Sequence, residues 1–403
     1  MSYIVPYIGK GSMFGYEELD AIKKLLLNDE TLSCSKVRAS FEEKFAEFIG
    51  VKYAFALTNC TVALEFASYL AGIQGGDEII TTCFSYQATI LPLLTKKVKI
   101  KFCDIEPNNL GLDLYHLKKL ITPNTKAVFI THYGGIVAKN IYEIVETAHN
   151  YGAVVIEDCA HTIGSTYKAQ KAGSFGDIGC FSFHSLKNIS TLGQGGMITL
   201  NNEKWAKIVK KIRGTEPDAK FYACENIFGD YKSPNDNIER HSKNSYTENC
   251  DAVFYTGTNA TLCEPACAAG IEQMKKLHLF NNRRIKIAKM LNDGLRQIPG
   301  TKVQQVDSNY FHTYHLYTFF LTDDAGIDRD TFVNLLDKKG IQIVLRYFPM
   351  HLLPEWRMQG GGYGLCPVAE KLWFESLVNL PCYPKLNDEQ IYYMIKTIAE
   401  IIN

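Results

Sequence analysis

The stretch Phe181-Ser-Phe-His-Ser-Leu-Lys187-Asn188, followed closely by Gly193-Gln-Gly-Gly196, decides how the rest of this sequence is interpreted. Upstream of it, an apolar segment ends in two carboxylates, Glu157 and Asp158. A lysine amine can bond covalently to an aldehyde, while a serine hydroxyl and backbone N–H groups can hold a phosphate. A carboxylate can pair with a ring nitrogen. These are the protein groups that pyridoxal phosphate chemistry needs, so the stretch predicts a pyridoxal phosphate site.

Strand-like and helix-like patterns alternate around this stretch. The predicted strands are short apolar runs at residues 53–57, 78–82, 98–103, 127–131, 153–156, 179–183 and 197–200. Helical periodicity appears at residues 17–27, 37–49, 112–121, 141–151 and 203–213, and Thr58-Asn-Cys-Thr61 is typical of a helix N-terminus. This alternation predicts a mainly parallel, helix-covered α/β sheet. Ligands bind at the carboxyl ends of such strands, where Asp158, Ser182 and Lys187 fall.

The length of 403 residues predicts two domains. The periodicity lapses between about Glu216 and Tyr255, and this polar segment fits either a surface excursion or a loop that faces substrate or a second subunit. Beyond it we predict helices at residues 264–277, 281–297, 329–339 and 388–402, with strands at 315–321 and 341–345. We therefore expect a large cofactor-binding domain at residues 1–255 and a smaller α+β domain at residues 256–403.

Charge and hydropathy argue against two classes of partner. Lysine plus arginine number 43 and aspartate plus glutamate number 43, so no net field attracts nucleic acid or an anionic membrane. No apolar run approaches the roughly 20 residues that span a bilayer. The first residues lack a charged segment followed by an apolar one, so a secretory signal is not expected.

The twelve cysteines are scattered singly through the chain, without a C-x-x-C pair or a Cys/His cluster at zinc-finger spacing. Cys263 and Cys267 have a spacing that could place two ligands on one helix face, but Pro265 lies between them and a second ligand pair is missing. The sequence therefore predicts no metal site. Scattered thiols are typical of a reducing compartment, so we expect a cytoplasmic protein.

Several motifs carry a resemblance that covers nearly the whole chain. The most specific are Glu157-Asp-Cys-Ala-His161, Gly173-Ser-Phe-Gly-Asp177 and the lysine stretch with its glycines. Weaker ones are Tyr347-Phe-Pro-Met-His351 and Leu380-Pro-Cys-Tyr-Pro384. By these motifs the chain resembles the DegT/DnrJ/EryC1/StrS sugar aminotransferases. The resemblance implies the pyridoxal phosphate-dependent transferase fold type I, with a large domain and a smaller C-terminal domain.

The resemblance assigns catalytic roles to three residues. It makes Lys187 the lysine that bonds to the cofactor and that, once displaced by the amino donor, moves the proton between the α-carbon and C4′ of the cofactor. It makes Asp158 the partner of the pyridine nitrogen, whose positive charge a buried carboxylate favours. His161 matches a position near the ring oxygen. Glu157 alternates to the other face of the sheet and is the weaker candidate.

The resemblance also implies the residues that bind the cofactor. Ser182 is expected to donate its hydroxyl to the phosphate, and the helix N-terminus at Cys60 and Thr61 to offer backbone N–H groups. Cys60 departs from the family, which usually has glycine there. Tyr86 matches the aromatic residue that stacks on the pyridine ring, with Phe84 as its competitor.

Asn259 resembles an asparagine that reaches the phosphate of the neighbouring subunit's cofactor, which implies a homodimer with shared active sites. The family commonly follows this asparagine with an aromatic residue and arginine, whereas this chain has Ala260 and Thr261. The alternative is a loop asparagine that caps the next helix.

The implied reaction transfers an amino group from glutamate or glutamine to a keto group of a nucleotide-linked sugar, in amino-sugar or surface polysaccharide biosynthesis. Lys187 argues against the related dehydratases, which have histidine at this position. An aminocyclitol aminotransferase and a catalytically degenerate pyridoxal phosphate-binding protein remain open alternatives. A nicotinamide-binding protein is disfavoured, because no G-x-G-x-x-G motif follows the first strand.

Overall fold

The computed structural model describes residues 3–33, 36–214, 219–221, 250–252 and 258–402, and at 219–221 and 250–252 it describes the backbone alone. The chain forms two compact units. One consists of Met1–Asn201 with Leu262–Asn403, and the other of Asn202–Thr261.

The helices and strands fall close to most of the predicted segments. The helices are α1 (Tyr16–Leu26), α2 (Lys36–Ile49), α3 (Cys60–Leu70), α4 (Leu114–Leu120), α5 (Ile141–Asn150), α6 (Glu203–Ile212), α7 (Glu264–Leu295), α8 (Arg329–Lys338), α9 (Pro354–Arg357), α10 (Pro367–Lys371) and α11 (Asp388–Ile402). The strands are β1 (Tyr53–Leu57), β2 (Glu78–Thr82), β3 (Lys99–Cys103), β4 (Thr125–Thr131), β5 (Val154–Asp158), β6 (Thr166–Tyr167), β7 (Gln170–Lys171), β8 (Ile178–Ser182), β9 (Gly196–Leu200), β10 (Ala219–Phe221), β11 (Cys250–Ala252), β12 (Thr301–Val303), β13 (Tyr310–Phe311), β14 (Tyr317–Leu321) and β15 (Leu377–Leu380).

A seven-stranded sheet in the order β1-β9-β8-β5-β4-β2-β3 organises the first unit. β8, β5, β4, β2 and β3 pair in parallel, whereas β9 is antiparallel to both of its neighbours. Every residue of β8 and β9 is buried, which explains why these strands read as continuous apolar runs without alternation. The predicted mainly parallel, helix-covered sheet is therefore confirmed.

Aromatic side chains pack α2 against the strand that leads to the lysine stretch. The ring of Phe45 lies 5.0 Å from that of Phe181 and 5.4 Å from that of Phe183, both at steep angles. Edge-to-face pairs of this kind add about 0.5–1.5 kcal/mol each to the free energy of burial. This packing fixes the end of β8, from which Lys187 is presented.

One long helix replaces the two predicted at 264–277 and 281–297. α7 has 32 residues, and the residues between the predicted pair continue its turns. Its first half contributes Cys267 and Leu277 to the core beside the central sheet. Its second half contributes Ile287 and Leu291 to a second core, which the sheet β12-β14-β15 and helices α8 and α11 complete. The helix continues because each of its halves packs into a separate apolar core.

The predicted strand at residues 341–345 is wrong. Ile341 makes a single parallel bridge with Val5 of the N-terminal arm, and no ladder follows among the described residues. Gln342 N–H still donates to Val5 O at 3.0 Å, but beyond the run Arg346 donates its N–H to the side chain of Asn379, to Oδ1 at 2.8 Å. The apolar run thus leads into the cavity described below without joining a sheet.

The second unit contains α6 and the antiparallel pair β10–β11. Asn202 caps α6 by accepting hydrogen bonds from the backbone of Lys204 and Trp205. Most of the polar segment at 216–255, and the predicted domain boundary between residues 255 and 256, lie outside the described residues, so both interpretations stay predictions. Among the described helices, none combines the length and apolar character needed to cross a bilayer.

Candidate active site

A cavity of about 820 Å³ opens at the carboxyl ends of β4, β5 and β8, beside the N-terminus of α3. This is the edge at which a parallel sheet collects ligand-binding side chains. Seven of the eight predicted site residues line it, namely Cys60, Thr61, Tyr86, Asp158, His161, Ser182 and Lys187. The eighth, Asn259, belongs to the second unit, and its predicted role stays a prediction.

Lys187 lies on a tight loop between β8 and β9. Its N–H donates to His184 O at 2.8 Å, and Ser185 N–H donates to Gly193 O at 3.1 Å, so the loop is held by its own backbone. Burial lowers the pKa of Lys187 to about 8, although the negative charge of Asp158 opposes this shift. The amine is therefore far closer to its nucleophilic, unprotonated form at neutral pH than an ordinary lysine is.

The N-terminal arm fixes the Lys187 loop from outside, which the sequence did not reveal. Gly11 N–H donates to Ser185 O at 2.7 Å, and Arg284 Nη2 donates to Gly11 O at 2.8 Å. A Cβ atom at Gly11 would lie 2.1 Å from Leu186 O and 2.5 Å from Lys187 O. Only glycine permits this close approach, so the arm holds the lysine loop directly.

Asp158 ends β5 and is buried, with its carboxylate in the cavity wall. Thr89 Oγ1 donates to Asp158 Oδ2 at 2.7 Å, and Ala160 N–H donates to Oδ1 at 3.1 Å. Thr89 is the last of three hydroxyls in a hydrogen-bonded chain. Thr131 Oγ1 donates to Ser85 Oγ at 3.0 Å, and Ser85 Oγ lies 2.7 Å from Thr89 Oγ1. Ser85 and Thr89 fall in the same short motif as Tyr86, but their contact with Asp158 could not be read from it.

No cationic side chain within the described ranges lies within salt-bridge distance of Asp158. Charged carboxylates are rarely buried without such a partner. A protonated ring nitrogen in the cavity would supply one. The site thus fits the predicted cofactor at this carboxylate.

Glu157, one residue earlier on β5, is fully buried and faces away from the cavity. It accepts hydrogen bonds from the backbone N–H groups of Gly173, Phe175 and Gly176, at 2.8, 2.8 and 2.7 Å. His132 Nε2 contacts the same carboxylate at 2.8 Å. The contacts of Glu157 are thus supplied by the protein scaffold, which fits its place as the weaker of the two carboxylate candidates.

His161 forms part of the cavity wall in a neutral, fixed tautomer. Gly134 N–H donates to its Nδ1 at 3.3 Å, so Nε2 carries the proton and meets Tyr347 Oη at 3.1 Å. Burial, with the charges of Lys187 and Arg346, lowers the pKa of His161 well below its usual range. The ring stacks on His315 at 4.3 Å between centroids. His161 can therefore donate a hydrogen bond to an oxygen in the cavity.

The N-terminus of α3 and Ser182 line the cavity, and both carry hydrogen-bond donors of the kind that can bind an anion. Asn59 caps the helix by accepting from Val62 N–H at 2.9 Å, which leaves the amides of Cys60 and Thr61 at the open helix end. A Cβ atom at Gly196 would lie 2.4 Å from the Asn59 carbonyl carbon and 2.7 Å from Cys60 N, so only glycine lets β9 approach this turn. Cys60 is accommodated because its side chain is buried.

Tyr86 and Phe84 have different surroundings. Tyr86 lines the cavity with 56% of its surface exposed, and its ring lies 5.7 Å from that of Tyr347. Phe84 is fully buried and packs on Tyr133 at 5.2 Å. Of the two aromatic candidates, Tyr86 is therefore the one that can meet a ring in the cavity. Tyr347 is a further cavity residue that the sequence analysis left without a role.

The comparisons with known proteins agree with this geometry. The model of the DegT/DnrJ/EryC1/StrS aminotransferase family matches residues 13–399. The chain belongs to this family. Pyridoxal phosphate is its cofactor, and the chain is a pyridoxal phosphate-dependent sugar aminotransferase, so both predictions are confirmed.

Curated relatives match almost end to end. The chain is 31% identical over 394 residues to the uncharacterised protein MJ1066 of Methanocaldococcus jannaschii, covering 96% of each chain. It is 31% identical over 407 residues to the spore coat polysaccharide biosynthesis protein SpsC of Bacillus subtilis, covering 100% of this chain and 97% of SpsC. It is 30% identical over 360 residues to GDP-perosamine synthase of Escherichia coli O157:H7, covering 89% and 88% of the two chains.

Solved structures share the fold. The aminotransferase PseC of Helicobacter pylori superposes with a TM-score of 0.84 at 23% identity, covering 100% of this chain and 99% of PseC. Spr1654 of Streptococcus pneumoniae, solved in its PLP form, superposes with a TM-score of 0.82 at 20% identity, covering 99% of both chains. These likenesses confirm fold type I.

Proposed function

We propose that this chain transfers an amino group from glutamate or glutamine to a keto group of a nucleotide-linked sugar. The observation that carries the proposal is the cavity that brings Lys187, Asp158 and His161 together. Its volume suits a cofactor together with one substrate at a time. The relatives named GDP-perosamine synthase and spore coat polysaccharide biosynthesis protein support a nucleotide sugar as the acceptor and a role in surface polysaccharide synthesis.

When bound, pyridoxal phosphate supplies an aldehyde that carries the amino group and a ring that withdraws electrons from the reacting carbon. Asp158 would hold a proton on the ring nitrogen through its negative charge, and the hydroxyls of Thr89 and Ser85 keep that carboxylate in place. Ser182 and the amides of Cys60 and Thr61 bind the phosphate. His161 Nε2–H orients the ring through its oxygen.

Lys187 has two roles in this scheme. Its amine, with a pKa of about 8, would hold the cofactor covalently, and once the amino donor has displaced it, its Nζ would move the proton from the α-carbon of the donor to C4′. In the second half of the reaction the same Nζ would move a proton the opposite way, from C4′ to the carbon of the former ketone. One base with fixed backbone contacts can serve both steps, because donor and acceptor occupy the same cavity in turn.

Arg346 is the cation that we assign to the acidic groups of the substrates. It lines the cavity, and its guanidinium lies 5.1 Å from the ring centre of Tyr7. A guanidinium binds carboxylate and phosphate oxygens in a bidentate manner. Its place in the cavity wall puts this guanidinium where it can meet a carboxylate or a diphosphate of a substrate.

The proposal includes a cytoplasmic homodimer in which Asn259 of one subunit serves the site of the other. It rests on the family resemblance at Asn259 and on the scattered cysteines. Size-exclusion chromatography with light scattering measures the assembly, and a monomer that turns over at full rate would exclude the shared site.

An absorbance spectrum of the purified protein tests the reaction. We expect a visible band from the lysine-bound cofactor, which glutamate or glutamine shifts to shorter wavelength as the amine form accumulates. A nucleotide-linked ketosugar should then restore the visible band, whereas a keto-inositol should not. Restoration by the cyclitol alone would replace this proposal with an aminocyclitol aminotransferase, and a coloured protein that ignores every amino donor would be a degenerate member of the family.

A further inference from the structure

Three buried side chains of the types that can bind a metal ion meet beside the cofactor cavity, although one of them is far from the other two in the sequence. Cys83 directly follows β2, His351 lies between Tyr347 and α9, and Cys366 immediately precedes α10. Each offers one ligand atom, and the three atoms lie within 4.8 Å of one another. None of the three lines the described cavity. We call this group the Cys83 cluster.

His351 is held in the tautomer that a metal ion requires. Its Nε2 lies 2.8 Å from Glu370 Oε1, and the same carboxylate accepts the backbone N–H groups of Gly364 and Cys366 at 2.9 and 3.2 Å. An acid fixed by these donors holds the histidine proton on Nε2, so Nδ1 presents a lone pair. Nδ1 is buried and has no hydrogen-bond partner among the described residues.

A second buried histidine–glutamate pair shows what a completed network looks like. His132 Nε2 contacts Glu157 at 2.8 Å, with Cys159 beside them. Here the remaining nitrogen is satisfied, because Ala138 N–H donates to His132 Nδ1 at 3.0 Å. The pair at His351 has the same carboxylate–imidazole contact but lacks this last partner. The lone pair of His351 Nδ1 is therefore available to a ligand.

The two thiols determine which metal ion the Cys83 cluster prefers. Burial and hydrogen bonding to Cys366 raise the pKa of Cys83 well above its ordinary value, so without an ion the thiol keeps its proton. A bound metal ion displaces such protons and converts thiols to thiolates. Two sulfurs and one imidazole nitrogen are the ligands that zinc prefers, and a carboxylate on the far ring nitrogen is the usual outer partner of a zinc-bound histidine.

We propose that Cys83, Cys366 and His351 Nδ1 bind one zinc ion, with Glu370 orienting the imidazole. Two thiol protons leave to solvent when the ion binds, and a water completes the tetrahedron, as at other sites with three protein ligands. Zinc–ligand distances of about 2.0–2.3 Å place tetrahedral ligand atoms about 3.5–3.8 Å apart, so small side-chain rotations close the site.

The bound ion would link two chain segments that form different parts of the cavity wall. Cys83 precedes Ser85, which belongs to the hydroxyl series that ends on Asp158. On the other side, His351 follows the segment that carries Arg346 and Tyr347 into the cavity. The Cys83 cluster ties these two segments together from behind, so its role is structural, and it leaves the reacting groups untouched.

Metal analysis of the holoenzyme, prepared with a thiol reductant and without chelators, tests the site. We expect about one zinc per chain in the wild type, and a zinc content lower by about tenfold or more in Cys366→Ser. Cys267→Ser is the matched control, because Cys267 is also a buried cysteine but lies in the core beside α2. The control should retain the wild-type zinc content, and Glu370→Gln should weaken zinc binding by about 10–100-fold.

An absorption spectrum of the wild-type protein with Co²⁺ tests the site even if a variant does not fold. Replacing zinc with Co²⁺ should produce the intense near-ultraviolet absorption of a cobalt–thiolate bond and visible bands of a tetrahedral ion. A wild-type protein that takes up neither ion, or equal zinc in wild type, Cys366→Ser and Cys267→Ser, would overturn the proposal. So would a Cys83–Cys366 disulfide found by mass spectrometry in the reduced preparation.

Discussion

Glu157 and Asp158 are adjacent carboxylates at the end of one strand, and they have opposite surroundings. Glu157 accepts three backbone N–H groups and contacts His132, so its charge is fully used by the scaffold. Asp158 accepts one hydroxyl and one backbone N–H and faces a cavity without a cationic partner in the described part of the chain. The difference teaches that a buried carboxylate whose partners are all supplied by the protein stabilises the fold. A buried carboxylate that lacks a cationic partner is instead suited to bind a ligand.

The largest effect is expected at the lysine that Asp158 faces across the cavity. Lys187→Ala removes both the covalent attachment point and the base, so turnover should fall by about 10⁴-fold or more. The melting temperature should stay close to that of the wild type, because a half-buried amine contributes little to the fold. Lys275→Ala, which alters a surface ion pair, is the control and should keep full activity. Full turnover of Lys187→Ala would remove this residue from the mechanism.

On the scaffold side of the comparison, Glu157→Ala should lower the free energy of unfolding by about 3–5 kcal/mol, because it leaves buried N–H groups and His132 without their acceptor. Thermal or denaturant unfolding measures the loss. Protein that does fold should still show the cofactor band. A variant as stable as the wild type would show that the contacts of Glu157 add nothing to the fold.

On the cavity side, Asp158→Asn should lower turnover by about 10²–10³-fold, the usual cost of losing one electrostatic stabiliser. Stability should change much less than in Glu157→Ala, since the amide keeps one oxygen for Thr89 or Ala160. Steady-state kinetics and melting curves on the two variants sharpen the comparison. Equal losses of stability with unchanged turnover would contradict the division between the two acids.

The smallest effect concerns pH. The unprotonated amine of Lys187 is the reactive form, and its pKa of about 8 predicts that the rate of rebinding cofactor to the apoprotein rises with pH to a plateau, with a midpoint near 8. Asp158 raises this pKa, so Asp158→Asn should move the midpoint to lower pH, whereas Glu157→Gln should not. Stopped-flow absorbance measures the rates. A midpoint near the ordinary lysine value of about 10.4 would contradict the buried environment of Lys187.

Much of this site could be predicted from the sequence because its parts lie at strand ends. The apolar runs predict where β5 and β8 stop, and a parallel sheet brings those ends to one edge. Because successive side chains of a strand point to opposite faces of the sheet, the sequence also placed Asp158 and Glu157 on different faces. The choice between Tyr86 and Phe84 needed the structure, because two aromatic residues separated by a single residue carry no local signal of which one meets the cavity.

Other features depend on partners remote in the chain. α7 continues through residues 278–280 because two separate cores cover its two halves. The 341–345 run has strand composition, but in the described residues its backbone pairs only briefly with Val5, at Ile341 and Gln342. The Cys83 cluster joins Cys83 to two residues more than two hundred positions later in the chain, so the spacing rules that argued against a metal site could not detect it.

The central claim is that Lys187 bonds to pyridoxal phosphate in the cavity beside Asp158. Its most direct test is borohydride reduction of the holoenzyme, which makes the lysine–cofactor bond permanent, followed by proteolysis and mass spectrometry of the peptides. We predict one modified peptide, with the cofactor mass on Lys187. A cofactor mass on any other lysine, or no modified peptide from a fully coloured protein, would contradict the account.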